Sequence, residues 1–253
     1  MSEAVVKDNQ KPVLHALKLA CSNCSLAELC LPFGLPDADL SQLDLLIDQR
    51  RSVRRGEHLY QAGTHFESLY AIRRGFFKTH ALTEDGREQV TGFHMTGEIM
   101  GVDAISTDIH ACHATALEDS EVCEIPFTRL ENLIREIPAL QRQFHRIMSR
   151  EIVRDQSVMM LLGNMRAEER VAAFLLNLSQ RNAARGYSAS GFHLRMTREE
   201  IGSFMGLKLE TVSRTFSKLQ DEGYITVDKK RVDIIDMERL KALLSHCSPR
   251  NVL

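Results

Sequence analysis

Thr197-Arg198-Glu199-Glu200-Ile201-Gly202-Ser203-Phe204-Met205-Gly206-Leu207-Lys208-Leu209-Glu210-Thr211-Val212-Ser213-Arg214-Thr215-Phe216-Ser217-Lys218-Leu219 is the stretch whose reading decides the fold. Thr197 followed three residues later by Glu200 is a capping box: the hydroxyl accepts from the Glu200 amide and the carboxylate reaches back. Ile201, Met205 and Leu207 are apolar, and Gly202 stands where a second helix approaches closely. Gly206 suits the left-handed end of a first helix. A second helix is predicted over 209–219, with Val212, Phe216 and Leu219 inward and Glu210, Ser213, Arg214 and Lys218 on the other side. These offsets predict a helix-turn-helix. Lys208 falls at the N-cap of the second helix, where lysine caps poorly but reaches a phosphate.

Downstream, Tyr224–Val227 and Val232–Ile235 flank Asp228-Lys229-Lys230-Arg231, which reads as a β-hairpin wing with a basic tip. The net charge of the chain is -2, so a DNA-binding potential has to be local. It is: residues 207–218 carry Lys208, Arg214 and Lys218 against Glu210. The outer residues at the start of a recognition helix meet base edges in the major groove. Arg214 suits guanine N7 and O6, and Glu210 suits cytosine N4. They are four residues apart and so share a face. Ser213 suits a base or a phosphate, and Lys208 and Lys218 suit phosphates.

Upstream, the pattern is helical from Pro138 to about Arg185, with Gly163 dividing it in two. His145, Met148, Ile152, Asp155, Met159 and Leu162 recur three and four apart, the spacing of a coiled-coil seam. Asp155 is out of place there. In a parallel dimer two carboxylates would meet across the axis and oppose association; the competing reading turns Asp155 to solvent beside Arg154. From about 50 to 125 the texture is different. Seven of the fourteen glycines (56, 63, 75, 86, 92, 97 and 101) punctuate short runs such as Ser68–Ile72, Phe76–Leu82 and Glu88–His94. That predicts an all-β barrel or sandwich, with a hairpin turn at Thr83-Glu84-Asp85-Gly86. Asp37–Asp48 reads as a short helix and residues 1–20 as mobile.

The 253 residues are 43% hydrophobic and 26% charged, an ordinary globular composition. No run is apolar enough for a membrane span, and the polar N-terminus lacks a signal-peptide core. A cytoplasmic location is expected, so the six cysteines are read as thiols or metal ligands before disulfides. Cys21-x2-Cys24-x5-Cys30 gathers three soft donors in ten residues. Both zinc and iron–sulfur clusters take four thiolates, and Cys112, Cys123 and Cys247 are the candidates for the fourth. Cys112 also reads as a small buried apolar residue, and the flanking His110 and His113 as surface histidines.

The order of β-unit, long helix and helix-turn-helix resembles the cyclic-AMP receptor protein superfamily over nearly the whole chain. Glu210-Thr211-Val212-Ser213-Arg214 resembles its recognition-helix core, and Gly97-Glu98 followed by Gly101 resembles its sensory barrel. Ala167–Leu175 resembles its connector helix. The cysteines, Leu31-Pro32-Phe33 and Cys123-Glu124-Ile125-Pro126-Phe127 resemble the oxygen-sensing FNR branch. Cys112 is extra to that branch's pattern, and the residues before Cys21 do not match it closely.

This resemblance implies an α+β chain: a cyclic-nucleotide-binding-like β-barrel (jelly roll), a long dimerisation helix and a winged helix-turn-helix. The corresponding divisions are a cysteine-rich segment 1–34, a sensory domain 35–137, a dimerisation helix 138–163 and a DNA-binding domain 164–253. It implies that Cys21, Cys24, Cys30 and Cys123 hold an oxygen-labile [4Fe–4S] cluster. It implies a homodimer across Met148, Ile152, Asp155, Met159 and Leu162 when the cluster is intact, and a monomer without it. Glu210, Ser213 and Arg214 would read the half-sites of TTGAT-N4-ATCAA promoter DNA, and Thr83, Glu84, Asp85, Gly86 and Arg87 would touch RNA polymerase. An ungapped alignment puts His110-Ala111 where nucleotide-binding members place Arg-Ser, which implies that no cyclic nucleotide is bound. The alternative on the same scaffold is a zinc- or thiol-redox-dependent regulator. An iron–sulfur electron carrier or enzyme is disfavoured by the helix-turn-helix and the absence of a Gly-rich nucleotide loop, so no catalytic residues are assigned.

Overall fold

The computed structural model describes residues 21–47, 49–83 and 85–244. The expectations for residues 1–20, for Glu84 and for Cys247 lie outside them. The cysteine loop leads into α1 (Asp37–Leu46), and eight strands follow: β1 (Gln49–Val53), β2 (His58–Tyr60), β3 (Ser68–Arg74), β4 (Phe76–Leu82), β5 (Glu88–Met95), β6 (Ile99–Met100), β7 (His113–Ala116) and β8 (Ser120–Pro126). They form two four-stranded antiparallel sheets, ordered β1-β8-β3-β6 and β2-β7-β4-β5. This is the expected jelly roll, built as two sheets rather than as a closed barrel. Leu59, Tyr60, Ile72, Phe77, Met100, Ala114, Ala116 and Val122 form one core within it.

Pro126 does not end the ordered structure. It opens α2 (Phe127–Glu136), which packs with α1 and the start of α3 (Pro138–Asn164) around Leu31, Leu43, Leu130 and Leu140, all fully buried. Pro138 sits in the first turn of α3, where its missing N–H costs nothing. The break expected at Gly163 comes two residues later. Gly163 is helical, and Met165 is extended (φ -99°, ψ 144°), turning the chain into α4 (Ala167–Ala183).

β9 (Gly191–His193) precedes α5 (Arg198–Met205), α6 (Leu209–Asp221), β10 (Ile225–Asp228), β11 (Arg231–Ile234) and α7 (Met237–Ala242). β10, β11 and β9 make a three-stranded wing sheet. The Thr197 capping box is formed in both directions, and Gly206 is left-handed at φ 64°. A Cβ on Gly202 would lie 2.6 Å from the Leu207 carbonyl oxygen, so the tight turn between α5 and α6 requires glycine there. Phe76, Val90, Phe93 and Met95 of the β-domain share one core with α4, α5, α6 and the wing. The two halves are therefore packed together.

Candidate functional site

α6 presents Lys208 at its N-cap and Glu210, Ser213, Arg214 and Lys218 along it, all exposed. Val212, Thr215, Phe216 and Leu219 are buried on its opposite side. Lys208 makes no side-chain cap. Lys218 Nζ is already bound to Glu168 of α4 at 2.6 Å and lies 3.8 Å from Glu222. Glu168 and Lys218 thus join the connector helix to α6, and a phosphate at Lys218 has to compete with that carboxylate. The wing tip turns at Lys229, left-handed at φ 54°.

The cysteine loop is held from two sides. Cys21 N and Ser22 Oγ donate to the Asp44 carboxylate of α1, the latter at 2.9 Å. Gln143 Nε2, on the buried face of α3, donates to the Cys30 carbonyl at 3.0 Å. Backbone bonds Cys24 N to Cys21 O and Ala27 N to Cys24 O, both 3.1 Å, coil the loop into successive turns. Cys123 comes from β8, across the register from Arg50 and Ala71.

Burial pushes the Cys21 thiol up, and Cys30, Asp44, Cys123 and Cys24 push it further. Burial likewise pushes Cys30 up to about 12, opposed by a backbone bond from Leu31 and reinforced by Cys123 and Cys24. Burial raises Cys123 too, opposed by Arg50 and Arg73 and reinforced by Cys24. Each of the four thiols is therefore within electrostatic reach of the other three, with Arg50, Arg73 and Arg150 nearby as cations. Cys112 is elsewhere. Its Sγ lies 3.5 Å from Asp103 Oδ2, and burial followed by Asp103 pushes it up to about 12. Among the described residues no three His, Cys, Asp or Glu side chains are arranged to hold a single metal ion.

His110 is not a surface residue as expected. It is 3% exposed, stacked on Tyr60 with ring centroids 3.8 Å apart, and 3.6 Å from Asp103. It therefore belongs to the packing of the sheet. Along α3, Met148 is half-buried while Ile152, Asp155, Met159 and Leu162 are exposed, with Ile152 at 56% and Met159 at 64%. The turn at Thr83–Arg87 is closed by Thr83 N to Arg87 O at 2.9 Å and Arg87 Nε to Asp85 Oδ2 at 2.6 Å.

A model of the Crp-like helix-turn-helix domain matches residues 169–243, and one of the cyclic nucleotide-binding domain matches residues 50–136. The chain is 47% identical over 223 residues to the transcriptional activator protein Anr of Pseudomonas protegens, covering 88% of this chain and 91% of that one. It is 45% identical over 232 residues to the fumarate and nitrate reduction regulatory protein of Escherichia coli, covering 92% of each. FixK2 from Bradyrhizobium japonicum superposes with a TM-score of 0.71 at 30% identity, over 77% of this chain and 96% of that one. The chain belongs to the CRP/FNR family.

In this CRP/FNR regulator a carboxylate that the sequence pattern left without a role is paired with three arginines. Glu98, beside Gly97, receives Arg181 Nη2 at 2.7 Å and Arg185 Nη2 at 2.6 Å from α4, and Arg154 Nη1 at 3.3 Å from α3. Arg181 Nη2 also donates to Phe93 O at 2.7 Å. Arg154 Nη2 donates to His94 Nδ1 at 2.9 Å, so His94 Nε2 carries the proton and donates to Thr79 Oγ1 at 3.1 Å. Burial, then Arg154, holds His94 well below the usual histidine range, and it stays neutral. A cavity of about 480 Å³ lies beside this network, lined among others by Leu29, Glu98, Arg150, Asp155 and Arg181. The CRP/FNR fold thus places cysteine loop, long helix and connector helix around one charged contact.

Proposed function

We propose that this chain is an oxygen-responsive, cytoplasmic transcription regulator. In this reading a [4Fe–4S] cluster is held by Cys21, Cys24, Cys30 and Cys123, and the chain dimerises along α3 when loaded. It then binds TTGAT-N4-ATCAA-like palindromic promoter DNA and activates or represses genes of anaerobic metabolism. The divisions 1–34, 35–137, 138–163 and 164–253 serve as cluster segment, sensory domain, dimerisation helix and DNA-binding domain. The observation that carries this is the mutual reach of four soft thiols, one of them brought from β8, on a chain that also carries the family's helix-turn-helix.

The donor set suits a cluster: four soft thiols, the number that a [4Fe–4S] cluster takes, lie within reach of one another, and each thiolate takes its own iron. Arg50, Arg73 and Arg150 favour the deprotonated thiols that ligation requires. A bound cluster would supply oxygen-labile redox chemistry. The rest falls to the chain: Gln143 ties the loop to α3, and Leu29 packs on Gly97 and lines the cavity beside α3. A change in the loop is thereby felt by the dimerisation helix. Thr83–Arg87 is the turn offered to RNA polymerase. Purification without air should give a brown protein with iron and sulfide in equal amounts; a colourless protein with zinc would establish the alternative, a zinc-dependent regulator.

Asp155→Ala should make the apo-protein dimeric in air. Ile152 and Met159 are exposed and gain from burial, at about 25 cal/mol per Å² of apolar surface, while two facing carboxylates resist. Removing them leaves the apolar gain and raises helix propensity by a few tenths of a kcal/mol. Asp155→Asn is the control at nearly constant shape. Sedimentation of both variants checks this: persistence of monomers in both would make Asp155 a solvated surface residue.

Arg214→Ala should lose about 1–3 kcal/mol on the specific site, roughly a five- to 150-fold drop, and relax preference at one base pair. Lys208→Ala should weaken all sequences alike and reduce the salt slope by about one. Titrations against specific and random duplexes distinguish the two; equal losses for Arg214→Ala on both would remove it from base reading.

A further inference from the structure

Three histidines meet on the outer face of the β2-β7-β4-β5 sheet. His80 of β4 and His113 of β7 are direct cross-strand partners, and His58 of β2 pairs with Thr115, two residues along β7. Their ring centroids are 5.0 Å (His80–His113), 5.6 Å (His58–His113) and 6.1 Å (His58–His80) apart. From these positions we infer that His58, His80 and His113 form a binding site for a divalent transition metal of the zinc or nickel type, separate from the cysteine loop.

The donor chemistry fits. Imidazole suits zinc, nickel and copper, and a metal–nitrogen length of about 2.1 Å places three ring centroids roughly 5 Å apart around one ion. Buried polar atoms normally have a partner, yet His80 Nδ1 and His113 Nδ1 are both buried without one. His80 is 5% exposed, and burial holds it below the usual histidine range, against the pull of Glu88. It is therefore in the neutral form that a metal takes. His58 Nδ1 is bonded to Thr115 Oγ1 at 3.0 Å, the outer partner that fixes a ligating ring and leaves Nε2 to face the ion. Glu88 Oε2, 3.9 Å from His80 Nε2, supplies negative charge, shared with Lys78. Access is from the His58 side, which is exposed.

As placed, His80 and His113 are stacked at 16° and no three side chains converge on a common point. Binding requires the rings to turn about χ2, a broad and soft torsion in histidine. The ring centroids already stand close to the separation that a shared ion needs.

The test is calorimetric titration of the full chain with Ni²⁺ at neutral pH, with thermal unfolding alongside. The cysteines are present in every protein compared, so their contribution cancels. The wild type should show one Ni²⁺ equivalent more than His58→Ala/His113→Gln, and Ni²⁺ should raise its Tm more than the variant's. Thr115→Val, which removes only the outer partner, should weaken that equivalent roughly tenfold, and His58→Ala alone should weaken it further. His58 and His113 lie at or near the surface, and circular dichroism checks that the variants fold. Should the double variant bind Ni²⁺ with the stoichiometry and affinity of the wild type, the three histidines are not a metal site. The same holds if His58→Ala and the wild type are indistinguishable.

Discussion

Cys123→Ser should abolish cluster retention under anaerobic purification, and Cys112→Ser should leave it intact. The two cysteines lie in different cores. Cys21, Cys30 and Cys123 pack against the cluster of apolar residues that includes Leu31, Leu43 and Leu130, whereas Cys112 packs against the interior of the jelly roll. Cys112 faces Asp103 and Tyr60, and burial and a carboxylate both hold it as the neutral thiol. Cys123 has Arg50 and Arg73 to offset burial. Serine is a hard and weakly acidic donor, so it does not replace a thiolate for iron. Iron and sulfide per chain, measured without air, should fall to background in Cys123→Ser and stay at the wild-type level in Cys112→Ser. The reverse pattern would move the fourth ligand to Cys112.

Glu98→Gln should destabilise the chain by about 3–5 kcal/mol, the usual result of removing one partner from a buried ion pair. Burial alone would raise the Glu98 carboxyl, but Arg181, Arg154 and Arg185 hold it down at about 2. Glutamine keeps the shape and leaves three guanidiniums facing a neutral amide. The sign of the pH effect follows from linkage. The folded-state value is depressed below the ordinary 4.5, so the carboxylate's stabilisation is complete above about 4.5 and is lost as pH falls towards 2. Wild-type denaturation midpoints should therefore drop across that window, and the drop should be shallower in Glu98→Gln. Equal midpoints at neutral pH and parallel acid limbs would mean that solvent, not Glu98, balances the arginines.

Local rules carried the reading where local chemistry decides structure. Thr197, Glu200, Gly202 and Gly206 specify cap, close approach and turn within ten residues, and the helix pair forms there. Phe76–Leu82 reads as a strand and is one, end to end. The losses have physical causes. β9 has three residues, too few to show a period, and exists because β11 offers it an edge. α2 has no counterpart in the sequence reading; Pro126 stands at its N-cap, where proline is tolerated. The arginines around Glu98 come from 56, 83 and 87 residues away, a distance over which no spacing rule operates. His110 and His113 flank a cysteine in a polar stretch and read as surface, but the loop before β7 stacks His110 on Tyr60, and β7 turns His113 towards its neighbours across the sheet. Within the cysteine loop, the spacing gathers three thiols and leaves a fourth open; in the fold Cys123 packs in the same core as Cys21 and Cys30, and Cys112 in another.

Arg170 ties the end of α3 to the end of α5. Its single guanidinium donates to Leu162 O at 2.9 Å, Met165 O at 2.8 Å and Met205 O at 2.7 Å. Those carbonyls belong to the last turn of α3, the corner after it and the last residue of α5. Each lies where helical geometry leaves an acceptor without an internal partner. Two rods fastened to one pin lose their independent rotation, so α5 must follow the end of α3 in direction and in phase. In a two-fold assembly along α3, the separation of the two recognition helices is then fixed by the gap between the two Arg170 pins. In the proposed dimer the molecule would work as a caliper whose jaws are set at the corner, with half-site spacing on DNA as the quantity measured.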